Sequence, residues 1–142
     1  MQTLLKGGTV VSGTGMHRAD VRIDGEKIVQ VGRKLDGGEA QVIDVTGCLL
    51  FPGFIDAHVH VESSMLTPRN FAAAVLPHGT TTAVTDPHEI ANVAGEEAVH
   101  YMHDAALGLP MRQLVNIPSC VPSVPGLENA GAPFDAGTIH RL

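Results

Sequence analysis

Two histidines separated by a single residue are the feature of this sequence that most suggests chemistry. His58 and His60 end an apolar run that begins at Cys48. Side chains at positions i and i+2 of a β-strand point to the same face, so the two imidazole rings are expected to lie side by side. Two neutral imidazoles held in this way can bind one metal ion. The spacing therefore predicts a metal site at the carboxyl end of an apolar strand, which is where a parallel barrel carries its chemistry.

Oxygen-bearing side chains flank this histidine pair. Asp56 precedes the pair, and Glu62 and Ser63 follow it. Asp56 is interpreted either as a neighbour that orients a metal ligand or as a turn-forming acid. Glu62 and Ser63 either face the metal or substrate or cap the loop. The surroundings thus offer the mixture of nitrogen and oxygen donors that divalent cations bind.

A second polar cluster follows the β-branched run 80–85. It contains Asp86, His88 and Glu89, with a proline that fixes the turn in which they are presented. His88 and Glu89 are predicted catalytic residues, acting as ligand, substrate contact or proton carrier. The alternative is that Asp86 caps a helix and that the other two are solvated. Glu128 is a further acid, beyond the third predicted strand.

The elements that position these residues follow from the pattern of apolar residues. Residues 1–50 contain short alternating stretches separated by turns every 8 to 12 residues, which is typical of a small β-sandwich segment. From residue 51 onward, strands alternate with helices, which predicts parallel βαβ units with right-handed crossovers. The predicted fold class is therefore α/β, with about the first three strands of a (β/α)8 TIM-type barrel in 51–142. The strands are predicted at 48–60, 80–85 and 112–117, and the helices at 67–76 and 95–107.

Composition narrows the possible classes of partner. The 142-residue chain is 44% hydrophobic and 17% charged, with a formal net charge of −6 and only 4% aromatic residues. It has no basic run and no stacking surface, so nucleic acid is not an expected partner. No apolar run approaches the ~20 residues of a membrane span, and no signal peptide is evident. These patterns predict a protein of the cytoplasm with no membrane partner.

The motifs resemble a known family. The run 52–64, continued by 65–68, is similar to the first barrel strand and loop of the amidohydrolase superfamily. The run 79–95, which contains Asp86-Pro87-His88-Glu89, narrows the resemblance to the metal-dependent adenine deaminases of bacteria and archaea. Further similarity lies in 5–11, 20–25, 118–122, Glu128 and 131–132.

This resemblance implies a reaction and a set of roles. The reaction is hydrolysis of adenine, a small-molecule substrate, to hypoxanthine and ammonia. It implies a divalent metal, with manganese favoured over iron or zinc, held by His58, His60 and Glu128. Coordination can lower the pKa of water from ~15.7 to ~7, and the amino leaving group requires a general acid. It also implies that the full-length parent is a homo-oligomer.

The length of the chain adds an expectation about completeness. A whole barrel of this type takes about 250 residues, so the chain is expected to be the N-terminal fragment of a larger enzyme. An open parallel sheet leaves an unpaired edge and uncovered apolar faces, so the chain alone is expected to be poorly stable and catalytically silent. Two alternatives remain open, namely another cyclic amidase or deacetylase of the superfamily, and a non-catalytic remnant.

Overall fold

The computed structural model, which describes residues 1–142, separates into two units, Met1–Pro52 and Gly53–Leu142. The first unit contains strands only, whereas the second contains three strands and all four α-helices. The predicted mixture of strands and helices is confirmed. None of the helices has the length and hydropathy of a membrane span.

The first unit is built from two sheets. One has the order β5-β4-β1-β6, and the other has the order β3-β2-β7. Leu4, at the centre of β1, is completely buried. The seven strands are β1 (Gln2–Lys6), β2 (Thr9–Ser12), β3 (Gly15–Arg18), β4 (Asp20–Asp24), β5 (Lys27–Gly32), β6 (Gln41–Asp44) and β7 (Leu49–Leu50).

The Asp20 carboxylate ties two turns of the first unit together. Its two oxygens accept hydrogen bonds from the backbone N–H groups of Gly7, at 2.8 Å, and of Leu35, at 2.9 Å. The hydrogen bonds from Gly7 and Leu35 lower the pKa of Asp20 below its ordinary value, although burial opposes this effect. The side chain therefore satisfies backbone N–H groups in the turns that follow β1 and β5.

The second unit is organised around a parallel three-stranded sheet with the order β10-β9-β8. Its core contains Val61, Phe71, Ala83, Met102 and Met111, all at most 7% exposed. The elements are β8 (Phe54–Val59), α1 (Pro68–Val75), β9 (Thr80–Thr85), α2 (His88–Ala94), α3 (Glu96–Ala106), β10 (Arg112–Val115) and α4 (Ala136–Arg141).

The start of α1 agrees with the sequence pattern. Thr67 is its N-cap and accepts a hydrogen bond from the backbone N–H of Asn70 through its side chain, at 3.4 Å. Pro68 occupies the first helical position, where the missing N–H costs no hydrogen bond. This part of the prediction is confirmed.

One predicted strand is wrong, and one helix was not predicted. The single strand 48–60 is split at Pro52-Gly53, so that β7 and β8 belong to different sheets. Pro52 has no N–H to donate to a ladder, and a Cβ at Gly53 would overlap the Thr81 side chain. The helix predicted at 95–107 is confirmed as α3, but the sequence pattern did not predict the helix that precedes it, α2. Gly95, with φ +64° and ψ −142°, breaks the two apart.

Candidate metal centre

The two histidines at the carboxyl end of β8 converge. The Nε2 atoms of His58 and His60 lie 3.1 Å apart, and the rings meet edge to face with an interplanar angle of 72°. The backbone N–H of His58 donates to Asp56 Oδ1 at 3.1 Å, which fixes the strand just before the pair. The two side chains are 57% and 31% exposed, so they are not histidines buried in a core.

A carboxylate from the next strand completes a group of three donors. Asp86 follows β9, and its backbone N–H donates to the Val59 carbonyl at 2.9 Å, so it lies directly beside the end of β8. Asp86 Oδ2 is 3.9 Å from His58 Nε2. One donor atom from each of His58, His60 and Asp86 lies within 4.8 Å of the others.

These donors fit a divalent ion. Two nitrogens 3.1 Å apart can both lie at the ~2.1 Å that imidazole ligands adopt around a metal. Asp86 Oδ1 is buried and has no hydrogen-bond partner, which is costly for a carboxylate unless a further group satisfies it.

A second group of donors shares His60. It consists of His60, Glu62 and Glu89, again within 4.8 Å of one another. His60 Nδ1 lies 2.9 Å from Glu89 Oε2, although the contact is not aligned as a hydrogen bond. Ser63 Oγ donates to Glu89 Oε1 at 2.9 Å, and the backbone N–H of Ile90 donates to Glu62 Oε1 at 3.3 Å. The loop after β8 is thereby attached to the start of α2.

The two carboxyls of this group differ in acidity. Burial is the main cause that raises the pKa of Glu62 above its ordinary value, and the charge of Glu89 adds to it. Burial also acts to raise the pKa of Glu89, but hydrogen bonds from its own backbone N–H and from Ser63, with the adjacent His60, lower it overall. Glu62 is therefore easier to protonate than Glu89.

His88 lies at the start of α2 and contacts side chains from two parts of the chain. Its Nε2 is 3.2 Å from Asn92 Nδ2, one turn along the helix, and 3.2 Å from Ser123 Oγ. Its Nδ1 is 3.7 Å from Cys120 Sγ. The N-cap of α2 is Pro87, with no side-chain cap, so the alternative reading of Asp86 as a helix cap is not observed.

Glu128 lies outside both groups of metal donors. Its Oε2 accepts a hydrogen bond from the backbone N–H of Ser123 at 2.9 Å. The structure thus connects Glu128 to His88 through Ser123, and not to the histidine pair.

Sequence reasoning did not single out Asn92 or Ser123. Asn92 follows His88 by four residues, a spacing that places two side chains on one helical face, so a helix predicted from residue 88 would have found it. Ser123 has no such signal because its contact spans 35 residues of chain.

Comparison with known proteins decides the family. A sequence model described as the amidohydrolase family matches residues 49–140. The chain belongs to the amidohydrolase family. The matched range includes both groups of donors and the whole parallel sheet. The two groups of donors agree with the metal dependence of this family.

Within the amidohydrolases, several curated relatives are similar over nearly all of the chain. Adenine deaminase 2 of Rhizobium etli is 50% identical over 98% of this chain, and adenine deaminase 2 of Rhizobium meliloti is 53% identical over 98%. The adenine deaminase of Moorella thermoacetica is 50% identical over 93%. The chain spans about a quarter of the length of these relatives, since it covers 24%, 24% and 23% of them.

Solved amidohydrolase structures show the same fold at lower identity. A D-hydantoinase superposes with a TM-score of 0.64 and 27% identity, covering 85% of this chain and 29% of that one. The dihydropyrimidinase of Brevibacillus agri superposes with a TM-score of 0.59 and 31% identity, covering 74% of this chain and 24% of that one.

Proposed function

We propose that this chain carries part of the active site of an enzyme that hydrolyses adenine to hypoxanthine and ammonia. The observation that carries the proposal is the convergence of His58, His60 and Asp86 in a chain about 50% identical to adenine deaminases. Deamination by water needs a strong nucleophile and a proton for the departing amine. The two donor groups supply residues for both needs.

The residues divide into metal-binding and proton-handling roles. His58, His60 and Asp86 would hold a divalent ion, which when bound lowers the pKa of a coordinated water. Asp56 orients the strand that carries the pair, through the backbone of His58. Ser63 holds Glu89 in place by its hydrogen bond.

Proton transfer is assigned to the second group and to His88. Glu89, which lies beside His60 and is held by Ser63, is assigned as the proton acceptor, and Glu62, whose pKa is raised mainly by burial, is assigned as the proton donor. His88 precedes Glu89 at the start of α2, and its ring, which contacts Asn92, Cys120 and Ser123, is assigned as a substrate contact or proton carrier. The proton that water loses on attack goes to Glu89, and the amine receives a proton from Glu62 or His88 before it departs as ammonia.

Several finer features belong to the same proposal. Imidazole and carboxylate donors suit manganese, iron and zinc, and manganese is the ion proposed. The parallel sheet β8–β10 is proposed as the first part of a (β/α)8 barrel, and residues 1–50 as part of a β-sandwich. A cytoplasmic location and a homo-oligomeric parent stay predictions.

The test is a chimera. Residues 1–142 replace the matching segment of Rhizobium etli adenine deaminase 2, and the purified protein is loaded with Mn²⁺ and assayed for hypoxanthine release from adenine. We expect turnover, and we expect its loss in the same chimera carrying His58→Ala. A folded, metal-loaded chimera that leaves adenine unchanged while the parent enzyme is active would refute the proposal.

A second candidate is hydrolysis of a cyclic amide. It is favoured by the superposition on D-hydantoinase, but at 27% identity against about 50% for the adenine deaminases. The same chimera is therefore assayed with hydantoin and dihydrouracil. Turnover of these compounds without turnover of adenine would favour this candidate.

A further inference from the structure

The His88 ring is held by neighbours at both of its nitrogens. Asn92 and Ser123 contact Nε2, and Cys120 contacts Nδ1. Asn92 lies on the same helix as His88, so its position follows from α2 itself. Ser123 and Cys120 belong to the loop after β10, so their contacts depend on how that loop is fixed.

The loop is anchored two residues before Ser123. Val121 is 3% exposed and packs with Ala91 and Val99, which belong to α2 and α3. The Val121 carbonyl accepts a hydrogen bond from the backbone N–H of Phe134 at 2.7 Å. This anchor fixes the base of the loop, but Ser123 itself is exposed.

Glu128 fixes the part of the loop that contacts His88. The chain turns back after Val124, whose carbonyl accepts the N–H groups of Leu127 and Glu128, each at 3.1 Å. The Glu128 carboxylate then accepts the Ser123 N–H at 2.9 Å, which closes the turn on itself. A carboxylate acceptor makes this hydrogen bond stronger than one between neutral groups.

From this chain of contacts we infer that Glu128 is a positioning residue for His88. It holds the Ser123 backbone so that Ser123 Oγ reaches His88 Nε2. The role needs a hydrogen-bond acceptor at position 128 but no negative charge and no metal. This deepens the proposed function and rests on it only where activity is the readout.

The positioning role predicts different effects for Glu128→Gln and Glu128→Ala. A glutamine keeps an oxygen that can accept the Ser123 N–H, whereas alanine removes it. If Glu128 were instead a metal ligand, Glu128→Gln would weaken Mn²⁺ binding, because it removes the negative charge that attracts the cation. The two variants therefore discriminate between a positioning residue and a ligand.

The experiment follows the His88 ring by NMR in the full 142-residue chain. Histidine is labelled at ¹³Cε1, and the His88 signal is assigned with a His88→Gln variant. We expect the His88 signal to shift in Glu128→Ala and in Ser123→Ala and to stay at the wild-type position in Glu128→Gln. Glu97→Ala, which removes an exposed acid of α3, is the matched control and is expected to leave the signal unchanged.

Ser123→Ala tests the same contact with less risk of misfolding. It removes only the hydroxyl and keeps the hydrogen bond from the backbone N–H of position 123 to Glu128. A His88 signal that is unmoved in a folded Glu128→Ala or in Ser123→Ala overturns the inference. Equal loss of Mn²⁺ affinity in Glu128→Gln and Glu128→Ala also overturns it, in favour of a ligand.

Activity gives an independent measurement in the chimera. We expect kcat for adenine to fall about tenfold in Glu128→Ala and to be restored in Glu128→Gln. Equal loss in both variants contradicts the inference. An inactive wild-type chimera refutes the proposed function alone, because the NMR comparison still decides the position of His88.

Discussion

His58 Nε2 and His60 Nε2 face each other at 3.1 Å, at the carboxyl end of β8. A neutral imidazole carries one donor and one acceptor, so a single hydrogen bond could join the two atoms. Neither ring is buried, however, and Asp86 Oδ2 lies only 3.9 Å from His58 Nε2. A cation between these three side chains would take one donor atom from each, including the Asp86 carboxylate, which a histidine–histidine hydrogen bond leaves unused.

The first prediction concerns metal binding by this pair. His58→Ala or His60→Ala is expected to lower Mn²⁺ affinity at least ~100-fold, because each removes a ligand and the loss of even an indirect neighbour costs ~10–100-fold. Isothermal titration calorimetry at pH 7.5 measures the change. His100→Ala removes an exposed histidine of α3 and is the control. Equal losses in all three variants would show that the binding is nonspecific.

The second prediction concerns the pH dependence of the first unit. The hydrogen bonds that lower the pKa of Asp20 make the ionised form stabilising. This stability is fully present above the unfolded pKa of ~3.9 and is lost as pH falls through the lower folded value. In Asp20→Asn, the amide NH₂ replaces the oxygen that accepts the Leu35 N–H, so two donors face each other. The Tm of this variant at pH 7 is therefore expected to be several degrees below that of wild type.

The measurement is thermal unfolding by circular dichroism across pH. The difference in Tm between wild type and Asp20→Asn should be largest near neutral pH and should shrink below pH ~4. Glu26→Gln, in an exposed turn, is the control and is expected to show no such difference. A constant difference at every pH would mean that the carboxylate charge is not what stabilises the turns.

Local sequence was sufficient to predict some elements and not others. Helix α1 has its own cap and its own proline, so its start is encoded within four residues, Thr67–Asn70. The break between β7 and β8 is also encoded, by Pro52, but the continuous apolar run concealed it. Strand β3 was missed because all four of its residues, 15–18, are exposed and show no apolar alternation.

The site shows the same division between local and distant information. His58 and His60 are two residues apart, so strand periodicity alone brings them together. Ser63 and Glu89 are 26 residues apart, and their hydrogen bond depends on how the two strands pair in register. Glu128 follows a strand in sequence, as the other acids do, and was therefore predicted to join the histidine pair. A tight turn places its carboxylate at the backbone N–H of Ser123, which sequence periodicity does not reveal.

The third prediction concerns the support beneath the site. Met102 is 2% exposed and packs in the main cluster of the second unit, whereas its neighbour Tyr101 is 47% exposed. Met102→Ala is expected to lower the free energy of unfolding by about 2–5 kcal/mol, because it leaves a cavity. Tyr101→Ala should cost less than about 1 kcal/mol. Urea unfolding monitored by circular dichroism measures both, and similar losses would place Met102 outside the core.

The last prediction concerns a close approach between two backbones near His88. Gly131 donates its N–H to the Asn92 carbonyl, and a Cβ on Gly131 would overlap the Val93 carbonyl oxygen. Because a backbone carbonyl at the end of α2 cannot move aside like a flexible side chain, Gly131→Ala should cost about 1–3 kcal/mol of stability. It should also shift the ¹³Cε1 signal of His88, since Asn92 contacts that ring at 3.2 Å.

The control for this prediction is Gly13→Ala, where an added Cβ would meet no atom within 4 Å. Urea unfolding and the His88 signal should be unchanged in Gly13→Ala. If Gly131→Ala were as stable as wild type, the segment after Glu128 would not pack against the end of α2. If it were destabilised without moving the His88 signal, Asn92 would not transmit the displacement, and the ring would be held by Ser123 and Cys120 alone.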